Sequence, residues 1–262
     1  MKVLCIGDVF GKPGREAVVQ LLPALKKQRK IDFVIANAEN SAGGFGLTPA
    51  IAQELYQAGT DVLTSGNHIF DNPQVNQIID ADPNLLRPAN YPPGVPGRGH
   101  GFYKVHGMTV SVLNLSGRVF IKEYDNPFTI GLEEVKKIRE QTPIIILDMH
   151  AEVTSEKIAM GWYLDGMISA LVGTHTHIQT ADEHVLPGGT AYISDLGMTG
   201  PYDSVIGIKK EIIIKRFLTQ MPVRFEVATG DVKLCGVLID IEETTGKATS
   251  IERIQIPYVR SC

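Results

Sequence analysis

Short apolar runs alternate along the first eighty residues with stretches whose apolar positions recur every three or four residues. Residues 2–7, 32–38 and 61–65 predict strands. Between them, residues 13–28 predict a helix with Ala17, Val18, Leu21, Leu22 and Leu25 on one face, and residues 48–58 a second one. The second opens on a Thr-Pro cap and stops at Gly59. Pro13 suits a helix start, whereas Pro23 falls inside the first helix and argues against its running unbroken. Residues 73–79 predict a further short helix. This alternation implies a largely parallel sheet covered on both faces. Residues 82–101 break the pattern, because the proline-rich 87–97 can be neither helix nor central strand. Residues 102–105 and 108–115 then read as a hairpin turning at His106 and Gly107. Helices are expected at 133–140 and 155–164, and strands at 144–149, 168–173, 190–194, 223–228, 232–242 and 250–256. The last three strands are separated by Gly-containing turns and predict an antiparallel meander. No repeat, low-complexity tract or linker interrupts the chain, so a single α/β domain over residues 1–262, with two packed sheets, is expected.

Composition narrows the picture. The 262 residues carry 25 Lys and Arg against 29 Asp and Glu, a net charge of −4, which argues against a stable complex with duplex nucleic acid. No apolar run approaches the ~18–20 residues of a membrane span. The opening residues turn polar at Asp8, too early for a secretory leader. Cys5, Cys235 and Cys262 are scattered and form no disulfide framework, so a cytoplasmic protein is expected. Cys5, inside an apolar run, reads as a small buried hydrophobe.

The chemistry collects just after the predicted strands. Asp8 follows the first strand, Glu39 and Asn40 the second, Asn67 and His68 the third, His150 the run at 144–149, and His175 and His177 the run at 168–173. In an open α/β sheet these C-terminal strand edges form the ligand crevice. If the chain stays extended there, His175 and His177 point to the same side, roughly 6.5–7 Å apart, able to flank two metal ions ~3.5–4 Å apart. A carboxylate can bridge such a pair, and Glu39 or Asp8 could serve. Mixed nitrogen and oxygen donors suit iron, manganese or zinc better than calcium, and the absence of thiolates speaks against a structural zinc site. Each residue also has a bland reading: Asp8 as a cap, Glu39 and Asn40 as a turn, His150 as a satisfied core histidine. His100, His106 and His184 keep the bland one. Gly43, Gly44 and Gly46 are followed by no Lys-Ser/Thr pair and do not make a phosphate loop. The joint occurrence decides the matter, since four of the seven histidines (His68, His150, His175 and His177) lie at predicted strand ends.

The motifs Gly7-Asp8, Gly66-Asn67-His68, His150 and Gly173-Thr174-His175-Thr176-His177 resemble those of the calcineurin-like metallophosphoesterases. The stretches 7–11, 37–40, 66–71 and 195–201 bring the chain nearer to one branch, the YmdB-type phosphodiesterases that act on 2′,3′-cyclic nucleotides, and 3′,5′-cyclic ones as a second class. Two positions depart from the wider superfamily pattern and agree with that branch. Phe10 stands where a ligand histidine is usual, and Glu39 where the bridging acid is usually aspartate. The resemblance implies a four-layer α/β/β/α sandwich and two metal ions, iron first with manganese or zinc as alternatives. One would be held by Asp8, Glu39, Asn40 and His177. The other would be held by Glu39, Asn67, His150 and His175, with Glu39 bridging. The pair would turn water into hydroxide near neutral pH, and His68 would protonate the leaving alkoxide. A cyclic nucleotide is the substrate so implied, the 87–97 loop and residues 198–204 are candidate walls for it, and a homo-oligomer, dimer or tetramer, is expected from the same branch. A phosphomonoesterase, a nuclease, or a non-catalytic nucleotide-sensing protein on the same shell are the alternatives.

Overall fold

A computed structural model describes residues 1–259. In the first half of the chain the strands are β1 (Lys2–Ile6), β2 (Phe33–Asn37), β3 (Val62–Thr64), β4 (His100–Val105) and β5 (Met108–Ser116), and the helices are α1 (Gly11–Arg29), α2 (Pro49–Gln57) and α3 (Pro127–Arg139). The second half adds β6 (Ile145–His150), α4 (Thr154–Tyr163), β7 (Ala170–Thr174), β8 (His184–Val185), β9 (Ala191–Ile193), β10 (Gly200–Pro201), α5 (Lys210–Thr219), β11 (Val232–Ile241) and β12 (Ala248–Pro257).

Strands that are apolar on both faces must be covered twice, and two six-stranded sheets achieve this by packing on each other. The first runs β10-β11-β1-β2-β3 with β12 outside β11, and the second runs β4-β5-β6-β7-β9-β8. Val3, Cys5 and Ile35 of the first sheet share one core with Val112, Ile146 and Val172 of the second. Leu4, Val34 and Leu63 turn the other way, onto Val18, Leu22 and Leu55 of α1 and α2. Likewise Leu115, Leu147 and Leu171 meet Val135 and Ile138 of α3 and Met160 of α4. The layers are therefore α/β/β/α, the sandwich of the metallophosphoesterase type. Both sheets are mixed rather than largely parallel: β1-β2-β3 and β5-β6-β7-β9 are parallel, while β11 on β1, β12 on β11, β4 on β5 and β8 on β9 are antiparallel.

Four local expectations are corrected. Helix α1 continues through Pro23, whose ring is exposed, so the lost hydrogen bond lies on the solvent side while Val18, Leu22 and Leu25 hold the buried face. Helix α3 starts at Pro127, six residues before the expected 133, because the Asn126 side chain accepts the Phe128 N–H and Pro127 fills the first position. Residues 223–228 form no strand. Only an isolated bridge joins Ile208 to Val227, Phe225 and Val227 pack onto Ile208 and Ile213 instead, and the meander reduces to the β11–β12 hairpin. Finally, α5 occupies a stretch where the pattern predicted no element. Its Ile212-Ile213-Ile214 run is β-branched, and only Ile213 is buried, so no amphipathic stripe announces it.

Candidate metal centre

Parallel strands of the two sheets end at a shared seam. β1 delivers Asp8, β2 delivers Glu39 and Asn40, and β3 delivers Asn67. From the second sheet β6 delivers His150, and β7 delivers His175 and His177. The expected single rim is thus two rims abutting, and all seven predicted donors come together there. Glu39 Oε1, Asn67 Oδ1 and His175 Nδ1 lie 2.9, 3.0 and 3.0 Å from one atom, His150 Nε2. Gly66 makes this approach feasible, since a Cβ there would sit 2.2 Å from the His150 ring and 2.5 Å from Glu39 Oε2.

Hydrogen bonds behind the ring nitrogens decide which way their lone pairs face. Thr174 Oγ1 donates to Asp148 Oδ1 at 2.7 Å, so at 3.0 Å from His150 Nδ1 it can only accept that nitrogen's proton. His150 Nε2 is then a bare lone pair. His175 Nε2 lies 3.1 Å from Glu152 Oε2 and gives its proton there, which turns Nδ1 into the acceptor facing the seam. His177 Nδ1 donates to the Ile206 carbonyl at 3.0 Å, leaving Nε2 3.8 Å from Asp8 Oδ1. Asn40 Nδ2 is spent on the Gly44 carbonyl, so its Oδ1 is the free end. The Glu39 carboxylate is held by the His68 backbone N–H on Oε2 at 3.0 Å, and Asp8 Oδ2 accepts the His175 N–H at 3.2 Å.

With these tautomers the donors turn lone pairs toward one another. Asp8 Oδ1, Glu39 Oε1 and Asn40 Oδ1 are buried without a hydrogen-bond partner; elsewhere among the described residues only single atoms of Thr60, Glu156 and Glu183 share that condition. An unpaired buried acceptor is costly. Donors 2.9–3.0 Å from His150 Nε2, and 3.8 Å apart between Asp8 and His177, fit the edge lengths of a metal polyhedron with ligands at roughly 2.0–2.2 Å. Glu39, His150 and His175 are the tightest such group, with ligand atoms all within 4.8 Å of one another.

The donors act on one another's charges, and the shifts divide: Glu39 and His175 are held in the ligating form, Asp8 and His150 are pushed toward the protonated one. Burial pushes the Asp8 carboxyl up to about 6 against the pull of His177. Burial also opposes ionisation of Glu39, but the neighbouring His150 and the His68 contacts hold it down at about 2. Burial works against positive charge on His150, and Glu39 outweighs it and raises that group. His175 is driven down to about 3, first by burial and then by His150, so it stays neutral, the form that ligates.

One expected geometry fails. The His-Thr-His segment is not extended: His175 and His177 sit at φ +100° and +66°, both in the left-handed region. Such conformations cost of order 1–3 kcal/mol each and persist only where the surroundings over-determine them. Here Asp195 does so. Its Oδ2 takes both the N–H and the hydroxyl of Thr176, at 3.1 and 2.7 Å, while pairing with the fully buried Lys157 ammonium at 2.8 Å. Asp195→Ala is expected to lower unfolding free energy by about 3–5 kcal/mol in denaturant titration, because it strands a buried charge; a loss below about 1 kcal/mol would contradict this.

The remaining predicted positions separate cleanly. His68 lines the mouth of the site, with Nδ1 2.6 Å from Asp71 Oδ2. Phe10, in the place of a ligand, packs edge-on against His177 with centroids 5.4 Å apart. His100, His106 and His184 face Glu134, Asp32 and the Asp182 carbonyl, away from the seam. The cavity over the donors, about 600 Å³, is walled by Phe45, by Val205, Ile206 and Ile208, and by α5, not by the 87–97 loop or residues 198–204. Arg87 instead spends its guanidinium on carbonyls of its own loop, those of Pro88, Val95 and Pro96. Sequence reasoning gave no role to Thr174 and Asp195, although both lie in stretches that carry the resemblance, and it missed Glu152, Lys157 and Asp148. Asp148 carried a signal of its own, as a carboxylate inside an apolar strand two residues before His150 and hence on the same face.

Two sheets between helix layers, with carboxylate, carboxamide and imidazole donors meeting at their C-terminal edges, define the metallophosphoesterase class of hydrolase fold. The chain belongs to the YmdB-like protein family, whose model matches residues 4–254. It is 52% identical over 256 residues, 98% of this chain and 97% of the relative, to the 2′,3′-cyclic-nucleotide 2′-phosphodiesterase of Bacillus subtilis (strain 168). Kinship at that level makes it an enzyme, a phosphoric diester hydrolase. Among solved structures it matches a hypothetical protein from Thermus thermophilus (TM-score 0.93, 38% identity, 98% of this chain and 99% of that one). A phosphatase from Mycoplasma pneumoniae matches at TM-score 0.93 and 33% identity, covering 98% and 93%.

Proposed function

We propose that the protein is a metal-dependent phosphodiesterase that hydrolyses cyclic nucleotides, 2′,3′-cyclic ones first and 3′,5′-cyclic ones as the second class to try. The observation that carries this reading is the convergence of buried nitrogen and oxygen donor atoms on His150 Nε2 and around Asp8 Oδ1. Asp8, Asn40, His177 and Glu39 would hold one ion, and Glu39, Asn67, His150 and His175 the other. Iron heads the list, with manganese and zinc behind it. Bound there, the ions supply Lewis acidity, lowering the pKa of water and neutralising charge on phosphate oxygens.

The chain's own groups do the rest. Asp148 and Thr174 keep the His150 lone pair aimed inward, and Glu152 and the Ile206 carbonyl do the same for His175 and His177. Asp71 orients the His68 ring through Nδ1, leaving Nε2 as the nitrogen that gives a proton to the departing sugar oxygen. The core shared by both sheets supports reading residues 1–262 as one domain.

Cys5 and Cys235 are free and buried, which supports a reducing, cytoplasmic setting; Cys262 lies outside the described residues. No helix among the described residues is long and apolar enough to cross a membrane. The exposed Ile214, Phe217 and Leu218 of α5, with Met221 beyond it, support a homo-oligomer.

The test is a substrate panel on protein stripped by a chelator and then resupplied with Fe²⁺, Mn²⁺ or Zn²⁺. Turnover of 2′,3′-cyclic nucleotides should vanish on stripping and return with metal. Activity that survives stripping, or that falls only on monoesters such as p-nitrophenyl phosphate, would overturn the proposal.

A further inference from the structure

The cavity over the donor cluster has a wall with no part in holding metal. Phe45 and Phe225 both line it, with planes within 19° of parallel and centroids 6.4 Å apart. The Arg216 guanidinium lies over the Phe225 ring, 5.0 Å from its centroid. On the other side the His68 ring meets Phe45 edge-on at 5.2 Å. An aromatic face therefore lies one ring away from the candidate proton donor, in the same cavity as the donor cluster. Phe45 is 39% exposed, more than filling a core would require.

No carboxamide among the described residues of this cavity is left to read a base edge. Besides the candidate ligands and His68, the polar side chains lining it are Glu152, Thr176 and Arg216. Glu152 is committed to His175 and Thr176 to Asp195. Among the described residues no Asn or Gln other than Asn40 lines it, and Asn40 has its Nδ2 on Gly44. Base edges are read by paired donors and acceptors, such as carboxamides or a guanidinium; no carboxamide is free here, and the Arg216 guanidinium lies over the Phe225 ring. Aromatic faces hold any base, because every base has a π-face. Resting on the cyclic-nucleotide reading above, we infer that Phe45 and Phe225, backed by Arg216, form the base-binding wall. The nucleobase is gripped by its face, and the enzyme is therefore nearly indifferent to which base it carries.

The test compares the 2′,3′-cyclic phosphates of adenosine, guanosine, cytidine and uridine with the base-free methyl riboside 2′,3′-cyclic phosphate, on the metal-loaded enzyme. The four nucleotides should fall within about tenfold of one another in kcat/KM, and the base-free compound should be about 10- to 100-fold poorer, mostly through KM. In Phe45→Ala and Phe225→Ala the ratio of nucleotide to base-free kcat/KM should collapse toward one. Phe→Tyr should keep that ratio and Phe→Leu should lose it, which separates stacking from the filling of space. An unmoved ratio in both alanine variants, or a single base preferred by more than about a hundredfold, would overturn the wall. Wild-type enzyme that cleaves the base-free compound and no nucleotide would overturn the wall while leaving diester hydrolysis standing. No cleavage of any cyclic phosphate would overturn the activity reading itself.

Discussion

Glu39→Ala is expected to lose most bound metal and at least about 10³-fold in kcat/KM on every phosphodiester, since the ions' charge stabilisation is worth several kcal/mol. The reason is positional. Glu39 is fully buried, faces His150 at 2.9 Å through one oxygen and is pinned by the His68 N–H through the other, and it is the side chain proposed above to serve both ions. Removing it also frees that N–H, and the variant could suffer in folding. Glu39→Gln keeps an acceptor for the N–H and should retain the unfolding midpoint of the metal-free wild type while still losing metal. Elemental analysis beside denaturant titration reads both quantities, and full metal content in the folded Gln variant would contradict the shared role.

His68→Ala is expected to behave in the opposite way, keeping its metal and losing about 10²–10⁴-fold in kcat. Its side chain is no member of either donor group. Nδ1 is taken by Asp71, and only the backbone of His68 reaches Glu39. The leaving group supplies the sharper readout. A sugar alkoxide needs a proton as it departs, whereas p-nitrophenolate does not, so the loss on a cyclic nucleotide should far exceed that on bis-p-nitrophenyl phosphate. Equal losses on both would assign His68 to phosphate binding rather than proton transfer. Metal loss in step with activity would make it a ligand.

The donors themselves were legible in the sequence because each is a polar residue placed directly after an apolar strand, where α/β topology puts binding groups. Their aim was not legible. The sequence suggested that His175 and His177 project from an extended segment. The observed left-handed pair is imposed by Asp195 and Lys157, partners about twenty residues away in the chain, beyond the reach of any local periodicity. The tautomers of the histidines depend on Thr174, Glu152 and the Ile206 carbonyl, which again is tertiary information. The cavity walls failed for a related reason. Proline-rich 87–97 looked like a binding loop, but its arginine turns back on its own carbonyls. Meanwhile Phe45 and Phe225, distant in sequence, stack beside the site because α5 and the segment after it fold over the seam. That helix carried no amphipathic signature to announce it.

Most of the account depends on two cations held between the seven donors. The most direct measurement is anomalous scattering from crystals grown with iron, manganese or zinc in excess. Two peaks roughly 3.5–4 Å apart are predicted, one among Asp8, Asn40 and His177, the other among Asn67, His150 and His175, with Glu39 between them. A map from metal-replete crystals with no peak at that seam, or with these side chains turned away from one another, would contradict it.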